Sequence, residues 1–482
     1  MSLLPVVFAP LLMAPLAYVA GRLYGRRAGY LPTLATLAGL AVVILYYPQV
    51  ASGGTVVTPL IWTHVAGTEV AFSLRMDGFS LVFALSIAAV GSAVSLYSIP
   101  YMGHRFEEMG IEGREGNRAY AEYYLLYLLF YAGMIGTVLS SNVIQFYIFY
   151  EIILLSTWLL IHAFGYGKRE RIALTYFVWT QVSGLLVLIG FVVHYMSAGS
   201  VDVLSYGAYT AAMPFLLLGF AIKMSVFGLH LWLPPAHGEA PTPISALLSP
   251  VTIGIGAYAI IRFVQPLVQQ LSPWILAWAM VTILYGGLVA LSEDDIKRLL
   301  AYSSISHMGY MLLGIASVTW IGFAGVSYHY LSHAFLKAVL FMTAGLLMMQ
   351  MKGNRRISLM GGLAARTPWA AVFMVSGFLG LAGFPPFAGF NSKLLIFAGA
   401  FQSPGDYIRL AMVAGAVLAS FLTLGYGALT FKRAMLGEAR EGLEVKEPDM
   451  LMVASIAFLL ILAVAFFFVP WLVIQPLLGA SA

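Results

Sequence analysis

Apolar runs of about 17–25 residues follow one another from end to end of this 482-residue chain, each long enough to cross a hydrocarbon core of roughly 30 Å. About fourteen emerge, centred near residues 12, 39, 88, 130, 153, 184, 222, 255, 283, 309, 336, 385, 422 and 463. Lipid offers the backbone no hydrogen bonds, so segments of this length fold as helices. The charged fraction agrees: it is 9%, against about 25% for a soluble domain. The expected fold is an all-α polytopic membrane protein, a single integral membrane domain over residues 1–482. The first run lacks a small-residue cleavage site and is followed by "GRLYGRR", so it reads as a retained helix and not a signal peptide.

The chain has no cysteine. Disulfides, thiolate zinc sites and cysteine-ligated iron–sulfur clusters are thereby excluded within it, and redox chemistry falls to another subunit. A formal net charge of +5 could suggest nucleic acid, but the placement of the charges argues against it. Lysines and arginines gather in alternate connections, at 22–27, 105–118, 168–171, 297–298, 352–366 and 432–446. The connections between them hold only Arg75 and Arg409. This positive-inside asymmetry puts the odd-numbered connections in the cytoplasm and both termini outside. Two polar stretches, 100–120 and 436–449, suit either plain solvation or docking to a partner.

Two spans are punctuated by helix breakers, "GFAIKMSVFGLHLWLPPAHGEAPTP" near 222 and "GLAGFPPFAGFNSKLLIF" near 385. Proline removes a backbone donor and glycine loosens the helix, so both spans are expected to be discontinuous. Broken helices at membrane depth persist only against protein or water, and transporters build ion sites from them. The breaks lie about five spans apart. That spacing suggests two inverted five-helix repeats, about 121–265 and about 274–434, with peripheral helices at 1–99 and 449–477.

A charge at the bilayer centre costs about 2.5–3.5 kcal/mol even on lenient scales. Four residues call for an explanation on that ground: Glu151, in "IQFYIFYEIILLSTWLLI", and the lysines Lys223, Lys337 and Lys393. Arg262 lies near a helix end, from which it can snorkel. Helix–helix pairing would use Glu151 and one lysine, leaving positive charge unpaired. Desolvation disfavours an ammonium, which makes surplus buried lysines better suited to carrying protons than to structural pairing.

The stretch 328–341, "YHYLSHAFLKAVLF", sets His329, His333 and Lys337 along one helical face, about 6 Å apart by helical rise. A proton ladder is the favoured reading. Zinc ligation at i, i+4 lacks a third ligand and the HExxH glutamate, and no metal site is expected. His307, beside Ser303, Ser304 and Ser306, suits a water chain or tight helix packing equally. His230 and His237 flank the first break as candidate channel-lining groups. His162 and His194 read as ordinary interfacial histidines.

Four segments carry a resemblance: "FAIKMSVFGLHLWLPPAHGEAPTPISALLSP", "EDDIKRLLAYSSISHMGYMLLG", "YHYLSHAFLKAVLF" and "GFPPFAGFNSKLLIF". Over roughly residues 75–435 the chain resembles the antiporter-like subunits of complex I. These are related to the large Mrp-type cation/proton antiporter subunits and to membrane subunits of energy-converting hydrogenases. The resemblance implies fourteen transmembrane helices and broken seventh and twelfth helices. It matches Glu151 and Lys223 to a fifth- and seventh-helix pair, and Lys393 to the twelfth-helix lysine of the exit half-channel. It matches His329, His333 and Lys337 to an eleventh-helix relay, and His307 to a tenth-helix motif. Gly254 stands where the family often has an eighth-helix lysine or histidine. The short C-terminus resembles the inner subunits, without a lateral helix.

The resemblance implies a proton-translocating subunit of a redox-driven pump with no redox site or cofactor of its own, working with other membrane subunits in the plasma membrane. The alternatives are a sodium/proton antiporter subunit, a subunit of a membrane-bound energy-converting hydrogenase, or a scaffold with a vestigial polar axis. Sodium favours carboxylate and carbonyl oxygens, and a single deep carboxylate inclines the reading toward protons. The electron donor and acceptor stay open.

Overall fold

The computed structural model describes residues 2–59, 61–65, 68–403, 407–437 and 448–480. Eleven apolar helical stretches are long enough to span a bilayer, and the first of them, Leu4–Ala51, contains two helices. With the two broken passes this makes fourteen crossings among the described residues. They begin with α1 (Leu4–Tyr24), α2 (Tyr30–Ala51), α3 (Gly78–Glu108), α4 (Gly113–Leu139), α5 (Val143–Phe164) and α6 (Arg169–Ala198). The seventh pass is split into α7 (Met213–Met224) and α8 (Leu233–Glu239). The eighth comprises α9 (Thr242–Leu247) and α10 (Ile255–Phe263), joined by a π-helical turn at Leu248–Thr252. Next come α11 (Gln265–Ser292), α12 (Ile296–Ala316) and α13 (Trp320–Gln350). The twelfth pass is split into α14 (Pro368–Ala382) and α15 (Ala388–Gln402), and α16 (Tyr407–Met435), α17 (Met450–Phe468) and the short α18 (Trp471–Ala480) complete the chain.

The described segment between α2 and α3 adds strands that the hydropathy pattern does not announce. β1 (Val56–Thr58) pairs antiparallel with β4 (Leu74–Met76), and β2 (Ile61–Val65) with β3 (Thr68–Ala71). Most of the polar stretch 436–449 lies outside the described residues.

Both expected breaks are present, and each has a local cause. α7 stops at Ser225, a non-glycine residue held at φ 57°, and Gly228 follows at φ 88° before Pro234 and Pro235 open α8. The indole of Trp232 donates to the Ile222 carbonyl at 3.1 Å, which also accepts from the Ser225 amide at 3.0 Å, and so ties the start of α8 to the end of α7. α14 ends at Gly383, φ 95°, ahead of Pro385 and Pro386. From α4 onward the passes form two successions of five, and in each the fourth is the broken one. Five crossings separate counterparts, so counterparts run in opposite directions across the bilayer.

The cation-rich connections meet on one face of the bundle. Arg26 pairs with Asp449 at 3.2 Å, and Arg105 donates to the Phe164 and Gly165 carbonyls. Arg355 pairs with Asp295 and Glu239, and Ser358 bonds Asp294. α13, which carries the histidine–lysine ladder, is buried almost throughout Gly322–Met348 and lies at the centre, enclosed by α3, α12, α14, α15 and α17. A helix buried on all sides takes its polar groups from function or packing, not from solvent.

Two charges sit differently from expectation. Arg262 does not snorkel: its guanidinium donates to both Asp77 oxygens at 2.9 Å, tying the end of α10 to the start of α3. Asp77 also caps α3 by accepting from the Ser80 amide at 2.9 Å. Lys297, grouped with loop cations by charge counting, is the second residue of α12 and fully buried.

Asp77→Asn keeps the helix cap and leaves Arg262 unpaired. It should cost about 3 kcal/mol, read as a lower melting temperature of the detergent-solubilised protein. Adding Arg262→Met should recover part of the loss.

Candidate functional site

The charged residues singled out in the sequence fall into two buried groups. The first lies where α5, α6 and α7 meet. Glu151 points at Gly184 of α6, where a β-carbon would come within 2.2 Å of its Oε1. Glycine is required for that approach. The same oxygen is buried and has no hydrogen-bond partner. Lys223, in the last turn of α7, is buried and places its Nζ 4.8 Å from the centroid of the Tyr150 ring. Glu151 and Lys223 interact electrostatically but form no contact ion pair, so the pair that the resemblance implies is held apart. Tyr150 is fixed in turn: its hydroxyl lies 2.8 Å from Ser183 Oγ, which donates to the Gly219 carbonyl at 2.7 Å.

The second group is a buried row of polar side chains on α12, α13 and α15. Lys337 Nζ donates to the Leu300 carbonyl at 2.9 Å and to the Ser303 hydroxyl. One turn back, His333 Nδ1 lies 3.4 Å from the Pro250 carbonyl, in the π-turn of the eighth pass. The rings of His307 and His333 lie 5.5 Å apart, and those of His307 and His329 5.3 Å. His307 Nδ1 is 3.1 Å from His329 Nε2, and His329 Nδ1 is 2.9 Å from Ser392 Oγ on α15. The next residue is Lys393, whose Nζ donates to the Ala382 carbonyl at 3.1 Å and faces the Tyr310 ring at 4.7 Å. Ala382 ends α14, so the ammonium caps the negative end of a half-helix.

The two open readings of the serines divide between them. Ser303 touches Lys337 and belongs to the polar line, whereas Ser306 bonds the Ile283 carbonyl and packs α12 on α11. Ser304 bonds Ser249 at 2.5 Å, joining the eighth pass to the foot of the Lys337 site. His230 accepts from the Gly228 amide at 3.2 Å, and its Nε2 is buried without a partner. Both ring nitrogens of His237 are buried and unpaired. His194 is a structural histidine: it bonds Ser205 at 2.9 Å and stacks on Tyr206 with centroids 3.6 Å apart.

Gly254 is filled from across the bundle. A β-carbon there would lie 2.5 Å from the Tyr330 ring, whose hydroxyl donates to the Val251 carbonyl at 3.1 Å. An eighth-helix relay side chain cannot occupy that position beside Tyr330. Sequence reasoning missed two further groups, Lys297 and Glu239. Glu239 is visible in "PAHGEAPTP" just past the first break, and Lys297, counted with the loop cations, is the second residue of α12.

A family model described as NADH:quinone oxidoreductase/Mrp antiporter, TM, matches residues 140–420, and one described as NADH-Ubiquinone oxidoreductase (complex I), chain 5 N-terminus, matches residues 62–109. The chain belongs to the NADH:quinone oxidoreductase/Mrp antiporter family. Its relatives include F(420)H(2) dehydrogenase subunit M of Methanosarcina mazei, 29% identical over 94% of this chain and 91% of that protein. NADH-quinone oxidoreductase subunit M of Rickettsia bellii is 30% identical over 85% of this chain and 81% of that protein. A solved structure of the Mrp complex from Dietzia sp. DQ12-45-1b has a chain with the same fold, with a TM-score of 0.85 at 23% identity, covering 99% of this chain and 97% of that one.

Gly254→Ala should overpack the contact with Tyr330 and lower stability by about 1–3 kcal/mol. Pairing it with Tyr330→Ala should relieve the clash, and thermal unfolding of the two variants side by side checks this.

Proposed function

We propose that this chain is the proton-translocating, non-redox subunit of a complex I-like redox-driven pump, and that Glu151, Lys223, His307, His329, His333, Lys337 and Lys393 carry the proton. The observation that carries the reading is the buried row of polar groups from Lys337 through His333, His307, His329 and Ser392 to Lys393, hydrogen-bonded from His307 to Ser392 and, between His333 and His307, bridged by a ring approach of 5.5 Å. Each of these groups except the serine binds and releases a proton, and a serine hydroxyl can both accept and donate one.

Glu151 and Lys223 are the coupling pair. Their separation leaves the strength of their attraction open to adjustment, and opposite charges near 4 Å interact by about 4 kcal/mol at an effective dielectric near 20. A neighbouring subunit that shifts charge beside Glu151 changes that attraction and so the readiness of Lys223 to give up its proton. The two five-pass units, 121–265 and 274–434, then act as inverted half-channels. The odd-numbered connections face the cytoplasm of a plasma membrane, and other membrane subunits flank the chain. Near-full-length similarity to dehydrogenase subunits favours a redox partner. Protons are favoured over sodium because the buried line is built of amines and imidazoles, while sodium seeks oxygen ligands.

The test uses inverted membrane vesicles containing the assembled complex, with NADH or reduced F420 as donor, whichever the membranes oxidise. Lys223→Ala and Lys393→Met should each lower proton uptake per electron by on the order of a hundredfold, the usual scale for losing a positioned proton-transfer group. Unchanged uptake in a fully assembled Lys393→Met complex would leave the line without a conducting role.

A further inference from the structure

Lys297 is a fully buried amine that the line described above does not use. A cavity of about 890 Å³ on the cation-rich face is lined by Glu239, Asp295, Arg298, Arg355 and Arg356, and Lys297 lies behind that wall, bonded to the carbonyl of Ala240, the residue after Glu239. Arg298 and Arg356 are exposed at its rim, so the cavity communicates with water. Lys297 Nζ donates to the Ala240 carbonyl, at the C-terminal end of α8, and faces the Tyr166 ring at 5.6 Å.

The charged groups around it come from every neighbouring element. Asp295 precedes it on its own helix, Glu239 and His237 belong to α8, Arg355 comes from the connection after α13, and Arg105 from α3. Arg355 spans the two carboxylates, 3.0 Å from Asp295 and 3.5 Å from Glu239, and also bonds the Gly238 carbonyl. Glu239 nevertheless keeps one oxygen, Oε2, buried and unpaired.

His237 lies between this site and the ladder. The charges of both Lys297 and Lys337 act on it, and its ring packs 5.0 Å from Phe341, one turn beyond Lys337. Both its ring nitrogens are buried without a partner, the kind of position at which folded proteins hold an ordered water.

Resting on the proposed proton-conducting role of the ladder, we infer that Lys297 is its cytoplasmic intake gate. A proton arriving at Glu239 from the cavity passes to neutral Lys297, and the ammonium so formed delivers a proton through His237 to Lys337. Each step moves one proton between bases and leaves no bond changed elsewhere.

The competing role is a plain structural cap, with Lys297 holding the end of α8. Lys297→Arg separates the two, because arginine keeps the charge and the donors to Ala240 but does not release a proton. In the same vesicles, Lys297→Arg and Lys297→Met should both lower proton uptake per electron about tenfold or more. Wild-type uptake with Lys297→Arg would reduce Lys297 to a cap and overturn the gate. Should neither variant assemble on a native gel, Glu239→Gln at the cavity wall tests the same intake, and normal uptake there overturns it equally. Lys393→Met is run alongside: normal uptake in that variant rejects the conducting ladder itself, whereas normal uptake in Lys297→Arg alone rejects only the gate.

Discussion

Buried ammonium groups held by backbone carbonyls, not by carboxylates, are the constraint around which this bundle is organised. Lys393 rests on Ala382, Lys337 on Leu300 and Lys297 on Ala240. Two of these carbonyls lie at the ends of half-helices, where unsatisfied acceptors and the helix dipole both favour a cation. The broken passes are thus the means by which a charge can be kept at membrane depth without a counter-ion. A salt bridge would hold the proton more firmly, and a carbonyl leaves the amine free to become neutral without stranding an anion.

How much of this was legible in the sequence follows from the range of the interactions. The helices and their breaks rest on local chemistry: apolar runs, and proline or glycine at Pro234, Pro235, Gly383, Pro385 and Pro386. The ladder rests on a four-residue spacing along one helix. The Arg262–Asp77 pair joins residues 185 positions apart, and nothing near Arg262 distinguishes a paired arginine from a snorkelling one. Lys297 was hidden by averaging: beside Arg298 and three acids it looks like a loop residue, yet Asp295 caps α12 directly before it and turns its side chain inward. Ser303 and Ser306, three positions apart on α12, differ in role because one reaches Lys337 on α13 and the other the Ile283 carbonyl on α11.

Gly254 shows how packing substitutes for a missing charge. The Tyr330 ring occupies the space that an eighth-helix side chain would take, and its hydroxyl spends its donor on the backbone. The link between the eighth pass and the ladder runs instead through the Ser249–Ser304 contact and the Pro250 carbonyl, both in or beside the π-turn. A π-turn displaces backbone acceptors from regular pairing, which is why such turns recur at functional positions. The centre of the molecule therefore keeps its polar character with backbone and hydroxyl groups in place of an ionisable side chain.

The spacing of the histidines limits how the line can be loaded. The rings of His307, His329 and His333 lie 5.3 to 6.1 Å from one another. Two adjacent imidazolium charges at that separation repel by on the order of 3 kcal/mol at an effective dielectric near 20. A second proton is therefore disfavoured beside the first, so in the proposed relay each moves on toward Ser392 and Lys393 before another follows. The same repulsion acts between Lys337 and an occupied His333, one helical turn away. On the conducting role proposed above, a crowded row of bases without acids would act as a single-file conductor, in which arrival at one end is felt at the other as electrostatic pressure to leave.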